Sequence, residues 1–133
     1  MLTHVDLFSG IGGFALAARW HGMQTVGFCE RDSWCQRVLA KHWPGVPIHG
    51  NIKSLEGDAV RSWLAGHNQR RPDLLTGGFP CQPFSHAGKR LGETDDRALW
   101  PEMLRIISDV RPRWVLGENV TGIISLGLDS KLS

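Results

Sequence analysis

Leu2-Thr3-His4-Val5-Asp6-Leu7-Phe8-Ser9-Gly10-Ile11-Gly12-Gly13-Phe14-Ala15 is the stretch that decides the fold. Leu2–Phe8 reads as a short buried strand, interrupted by polar residues and ended by Ser9-Gly10. Gly12–His21 suits a helix with Phe14, Ala17, Ala18 and His21 on one side, closed by Gly22. The glycines between the two permit positive φ and let the backbone approach a ligand closely, beside the partial positive charge of a helix amino terminus.

The same alternation recurs outward from that unit. Gln24–Glu30 is a second strand, and Asp32 or Ser33 caps a helix whose Trp34, Cys35, Val38, Leu39, His42 and Trp43 keep helical spacing. Pro44-Gly45 stops it. Val46–His49 reads as a brief third strand, Ser54–Ala65 as a weaker helical segment and Pro72–Thr76 as a fourth strand running into Gly77-Gly78. Phe79–Asp95 has little periodicity and reads as a long loop of the kind that carries function. Leu99, Trp100, Met103, Leu104, Ile107 and Val110 then mark a strong helix, Arg113–Gly117 a fifth strand, and Val120–Leu126 the start of a further helix. Repeated strand–helix alternation predicts an α/β domain, an open, mostly parallel doubly wound sheet with helices on both faces.

With 133 residues the chain fits one domain, and 41% hydrophobic against 21% charged residues permits a packed core. Fifteen basic against thirteen acidic residues leave a net charge of +2, which is compatible with a nucleic-acid partner and thin for gripping a phosphate backbone. Three cysteines exclude a disulfide-stapled secreted domain. No apolar run approaches the roughly 18 residues of a membrane helix, and the start lacks a signal-peptide core. A reduced, cytoplasmic domain without a membrane partner is therefore expected.

In doubly wound sheets, ligands sit beyond the carboxyl ends of the strands. Every unusual local sequence here falls at such an end: Ser9–Gly13, Glu30, Asn51, 78–85 and Glu118-Asn119. Glu30 lies twenty positions beyond Gly10, where a carboxylate can accept both hydroxyls of a ribose. Together they predict a nucleoside-containing cofactor. The glycine turn also matches G-x-G-x-x-A, which leaves NAD open. Pro80-Cys81-Gln82-Pro83 stiffens a polar loop around a thiol, with Lys89, Arg90 and Arg97 as candidate basic neighbours. Cys29 and Cys35 read instead as buried thiols. No C-x-x-C spacing occurs and the six histidines are scattered, so no metal site is expected. Glu118-Asn119 follows an apolar strand, where a partly desolvated carboxyl could donate a proton or either residue could simply cap a helix.

Glycine turn, acidic strand end, Pro-Cys loop and Glu118-Asn119-Val120, in that order, resemble the cytosine-C5 DNA methyltransferases over nearly the whole chain. Asp6–Gly13 looks like the family's first motif, and 77–85 looks like its signature loop. The resemblance implies a Rossmann-like fold and S-adenosyl-L-methionine as cofactor, bound by Phe8, Ser9, Gly10, Ile11, Gly12, Gly13, Glu30, Arg31, Asn51, Ile52, Pro80 and Leu99. It implies Cys81 as the nucleophile that adds to C6 of a flipped-out cytosine in double-stranded DNA, and Glu118 as the group that meets N3. Gln82, Ser85 and Asn119 are the implied substrate contacts.

Two residues depart from the family pattern. Arg31 stands where some members place a bulky apolar residue against adenine, and its guanidinium can stack there. Asn51 stands where Asp is usual, and its side-chain oxygen can still accept from the adenine amino group. Complete members also continue past Glu-Asn-Val with a further catalytic motif, a target-recognition region and a last helix. Residues 1–133 are therefore expected to be a partial catalytic domain, inactive alone, that needs a complementing carboxyl-terminal chain or self-association. A non-catalytic cofactor-binding half and a tRNA cytosine-C5 methyltransferase are the alternatives. An NAD dehydrogenase would leave 79–85 and Glu118-Asn119 unexplained.

Overall fold

A computed structural model of the chain describes residues 1–79 and 99–118. Within them five strands, β1 (Thr3–Leu7), β2 (Gln24–Cys29), β3 (Ile48–His49), β4 (Leu74–Gly77) and β5 (Trp114–Gly117), form one sheet in the order β3-β2-β1-β4-β5. Every pairing is parallel. Four helices connect them: α1 (Gly13–Trp20), α2 (Ser33–His42), α3 (Gly57–Trp63) and α4 (Trp100–Val110), with a short 3-10 turn at Ile52–Ser54. Among the described residues no helix is long and apolar enough to cross a membrane.

The sheet is covered on both faces. Val5 and Leu7 of β1 join Leu75 of β4, Val60 and Leu64 from the α3 side, and Met103, Ile106 and Val110 of α4 in the larger core. On the other face Phe28 of β2 packs with Ala15 of α1 and Leu39 of α2. Trp63 lies on Gly27, where a Cβ would collide with the indole. Arg19 of α1 stacks on Trp43 just after α2, 4.6 Å from the ring centroid, and donates to the His42 carbonyl. β5 is the exception to this coverage, since its Trp114, Val115 and Leu116 are all exposed.

Local chemistry sets the element ends. Phe8 takes φ 54° and ends β1. Asp32, rather than Ser33, caps α2 by accepting from the Cys35 N–H at 3.0 Å, and that bond holds the Asp32 carboxyl below its ordinary range. Gly22 at φ 78° closes α1, as its spacing predicts. Four expectations need correction. The buried face of α1 is Ala15 and Ala18, while Ala17 and His21 are exposed. Trp34 at the start of α2 is exposed and Cys35 is only half-buried, leaving Leu39 as the fully buried contact of that helix. The third strand covers only Ile48–His49, because Pro47 has no N–H to give the ladder, although its carbonyl accepts from Phe28. The helical segment expected over Ser54–Ala65 narrows to α3, Gly57–Trp63, and Ser54 instead ends the 3-10 turn. The loop at Phe79–Asp95 and the helix at Val120–Leu126 fall mostly or wholly outside the described residues.

A polar chain crosses three strands inside the sheet. His4 Nδ1 lies 2.8 Å from the Thr25 hydroxyl and Nε2 lies 2.8 Å from the Thr76 hydroxyl, which donates to Asp6 Oδ1 at 2.6 Å. With Asp6 ionised, Thr76 spends its one proton on the carboxylate, so Nε2 must donate and Nδ1 must accept. Burial pushes His4 down to about 4. Burial pushes Asp6 up to about 7, with the Thr76 hydrogen bond opposing and the charge of Glu30 adding.

These shifts act on stability with opposite signs. Below the ordinary histidine value of 6.5 the unfolded chain binds a proton that buried His4 refuses, so stability rises with pH from about 4 to 6.5. Folded Asp6 keeps a proton that the unfolded chain loses near 3.8, so stability falls as pH rises from there to about 7. Asp6→Asn should therefore become more stable, and His4→Gln less stable, between pH 4.5 and 7. Each amplitude is on the order of 3 kcal/mol at most. Urea unfolding across that range measures both, and parallel profiles would contradict the assignment.

Candidate functional site

The chain leaves β1 in one direction to build β2 and β3, then returns to build β4 and β5 on its other side. Ligand crevices form at such a switch point, beyond the carboxyl ends of the strands. Here the turn after β1 meets the ends of β2, β4 and β5.

The glycine turn is pinned at several points. Ser9 N–H donates to the Cys29 carbonyl at 3.1 Å, and its hydroxyl donates to the Asp6 carbonyl at 2.9 Å. Gly12 N–H returns to the Ser9 carbonyl, closing the turn at 3.0 Å. Gly12 adopts φ 94° and caps α1 with its backbone, and a Cβ there would sit 2.6 Å from the Trp43 ring. Gly10 and Gly13 are different: among the described residues nothing lies within 4 Å of a Cβ built on either. Ile11 between them is 56% exposed. The turn thus has one side closed by Trp43 and an open side of bare backbone at the first turn of α1, whose N–H groups have no intrahelical acceptor.

Glu30 closes the floor of this turn. Its carboxylate accepts from Gly10 N–H and from Asp32 N–H, both at 2.8 Å, while its own backbone joins the His49 and Gln36 partners. A carboxylate has about four acceptor positions, so two remain for a ligand. Arg31 beside it is exposed. Asn51 is also exposed, and its Oδ1 already accepts from Lys53 N–H as the cap of the 3-10 turn, leaving the amide N–H pair facing outward chemistry. Ile52 is buried in the larger core, and its carbonyl accepts from Arg105. Half-buried Phe8 packs against Phe79, with Phe79 against Trp100 at 5.3 Å. Leu99 stands half-buried at the cap of α4.

Glu118 follows β5 and bonds the Gly77 carbonyl through its N–H at 3.0 Å. Its carboxylate lies over Gly78, 3.2 Å from where a Cβ would be, and Phe14 of α1 borders the same spot at 3.8 Å. The structure therefore brings Glu118 to the switch point with the glycine turn. It also shows Glu118 exposed, so the desolvation expected from its apolar strand is not found among the described residues. Pro80, Cys81, Gln82, Ser85 and Asn119 lie outside the described residues. Neither described thiol is activated: burial, with Glu30 adding, pushes Cys29 up to about 12, and burial with Glu30 and Asp32 raises Cys35.

Asp6 begins the stretch that looks like the family's first motif, but that resemblance gives it no site role. It is fully buried, and its Oδ2 has no hydrogen-bond partner among the described residues. The available signal was an acid flanked by Val5 and Leu7 in a strand whose neighbours are all buried.

The C-5 cytosine-specific DNA methylase family matches residues 2–130. Type II methyltransferase M.PspPI of Psychrobacter sp. (strain TA137) is 41% identical over 120 residues, covering 90% of this chain and 27% of that protein. Type II methyltransferase M.AquIA of Picosynechococcus sp. is 37% identical over 123 residues, covering 91% of this chain and 49% of its own length. The chain thus spans about a quarter to a half of these relatives. Among solved structures, a protein assigned as a DNA modification methyltransferase encoded within an Escherichia coli prophage superposes with a TM-score of 0.78 at 27% identity, over 99% of this chain and 36% of that one. Schizosaccharomyces pombe Dnmt2 methyltransferase shares the fold with a TM-score of 0.74 at 21% identity, over 99% of this chain and 40% of that one.

The two kinds of glycine separate experimentally. Gly12→Ala should cost at least about 2 kcal/mol of stability, from the left-handed backbone and the collision with Trp43. Gly13→Ala meets nothing and should change stability by no more than about 0.5 kcal/mol. Chemical denaturation of the two variants checks the difference, and equal losses would refute the open side of the turn.

Proposed function

The chain belongs to the C-5 cytosine-specific DNA methylase family, and from that premise we propose that it supplies the cofactor-binding and catalytic half of a DNA (cytosine-5)-methyltransferase that draws on S-adenosyl-L-methionine. The observation that carries the reading is the convergence of the glycine turn, Glu30 and Glu118 at one switch point. A dehydrogenase would have no use for an exposed carboxylate over Gly78.

The residues present fit that cofactor. Bare Gly10 and Gly13 leave an open cradle, and the two free acceptor positions of Glu30 suit a ribose diol. The first-turn N–H groups of α1 suit a carboxylate, and Arg31, Asn51 and Leu99 border the same edge. When bound, S-adenosyl-L-methionine supplies an electrophilic methyl group.

The chain's own chemistry acts on the base. Cys81 follows Gly78 by three positions, and its thiolate adds to C6 of cytosine, which pushes electron density to C5. Glu118 meets N3 as the ring takes up that density. C5 would take the methyl group, with the cofactor leaving as the thioether, and passage of the C5 proton to a base would then expel the Cys81 sulfur from C6. The raised Cys29 and Cys35 thiols support Cys81 as nucleophile. Gln82, Ser85 and Asn119 would hold the base. Reaching C6 requires the cytosine to leave the duplex, and flipping costs a few kcal/mol that contacts to DNA must offset. The exposed apolar side chains of β5 support a complementing carboxyl-terminal half as the segment that packs there.

Glu30→Ala should weaken S-adenosyl-L-methionine binding by about 1.5–3 kcal/mol in calorimetric titration. Unchanged affinity would remove the ribose from Glu30. Brief iodoacetamide treatment should label Cys81 ahead of Cys29 and Cys35, read by mass spectrometry. Methyl transfer to duplex DNA should be negligible for the 133-residue chain and appear on adding a carboxyl-terminal half from a relative, with Cys81→Ser abolishing it. Robust turnover by the chain alone would overturn the need for that half, and preferential methylation of tRNA over DNA would overturn the substrate.

A further inference from the structure

A cavity of about 520 Å³ opens at the opposite edge of the sheet from the glycine turn. Its walls come from residues just before β4 and β5 and from the flanks of α3 and α4. Arg61, Arg70, Arg71, Arg111 and Arg113 line it, against only Asp73 and Asp109 among acids. Five positive and two negative side chains leave three positive charges in the cavity, whereas the whole chain carries only +2. The rest of the chain is therefore net negative.

Both acids are already engaged. Asp73 accepts from the Thr3 N–H at 2.8 Å and from Gln69, with Arg113 at 3.5 Å, and Asp109 pairs with Arg61 at 3.4 Å. Arg70, Arg71 and Arg111 are exposed and have no acidic partner among the described residues. Arg111 projects from the end of α4 on a left-handed backbone, φ 54°. Val110 is the one apolar residue of the wall, and none is aromatic. Among the described residues the wall presents no aromatic ring, and its guanidinium forks match phosphate oxygens two at a time.

We propose that this arginine cavity at the amino edge of the sheet binds the phosphate groups of a polyanion. A nucleic-acid backbone and a free polyphosphate offer the same chemistry. The site shares no residue with the cofactor edge, so it stands apart from the methyl-transfer reading.

The test uses the full chain and Arg70→Gln/Arg71→Gln, two exposed positions whose loss leaves the core intact. A fluorescent duplex of roughly 20 base pairs and inorganic pyrophosphate are titrated separately, at several salt concentrations. For a backbone ligand, duplex affinity should fall about tenfold in the double variant and the salt slope by about 2, with pyrophosphate competing. For a free polyphosphate, pyrophosphate binding should fall about tenfold while duplex binding holds. The double variant should bind S-adenosyl-L-methionine as the wild type does. If both probes bind wild type and double variant equally, or neither probe binds the wild type, the proposal is wrong.

Discussion

Two hydrogen bonds of 2.8 Å, from the Gly10 and Asp32 backbones to the two oxygens of Glu30, set the shape of the carboxyl edge. They join the turn after β1 to the start of α2, so the helix cap at Asp32 and the glycine cradle are fixed by one side chain. A bland role for Glu30 and a ligand role are not alternatives here. The carboxylate spends half of its acceptor capacity on the backbone, and that expenditure aims the other half outward. Trp43 closes the far side of the turn against Gly12, which is why an open face and a packed face coexist within four residues.

Beneath that edge the central strand carries a polar chain where a parallel sheet would ordinarily carry aliphatic side chains. His4 and Asp6 give up the water that would stabilise their charges, and threonines on β2 and β4 replace part of it. The chain locks β2, β1 and β4 in register, with the pairing irregularity between His4 and Val5 falling beside it. One oxygen of Asp6 is left unpartnered just below the Ser9 turn, whose hydroxyl is held by the Asp6 carbonyl. Stability is conceded at that point, and such concessions cluster near functional edges.

What could be read from residues alone follows physical scale. Apolar runs such as Val26–Cys29 and Trp114–Leu116 mark strands whatever surrounds them, and glycine at a strand end marks a turn because few other residues tolerate the backbone. Glu30 was legible through its spacing from Gly10, and Glu118 through its place after an apolar strand. The phase of α1 was not, because alanines at 15, 17 and 18 give a weak periodic signal and only packing against Phe28 selects among them. The exposure of Trp34 and Trp114 was equally hidden, since size and apolarity do not say which neighbours arrive. The His4–Thr76–Asp6 chain depends on the register of three strands. The arginine cavity gathers residues from three separate stretches, so no local window could reveal either.

The two edges of the sheet differ in charge, and this bears on how a polyanion would approach. The carboxyl edge presents Glu30, Asp32 and Glu118, a set that suits hydroxyls and a ring nitrogen but repels phosphates. The amino edge presents Arg61 paired with Asp58 and Asp109 and Arg113 paired with Asp73, beside Arg70, Arg71 and Arg111, which have no acidic partner among the described residues. The strands between them are four or five residues long, so the edges stand on the order of 15 Å apart, within the footprint of a nucleic acid that contacts more than one face. Base chemistry and phosphate attraction are thus assigned to opposite ends of the same sheet. Exposed Arg31 is a cation beside Glu30 at the carboxyl edge, and Lys89, Arg90 and Arg97 stand in the sequence outside the described residues. The described surface alone would draw a polyanion toward the amino edge, away from Glu30 and Glu118. On the proposed function, the productive orientation of the substrate then falls to whatever covers the exposed Trp114, Val115 and Leu116 of β5.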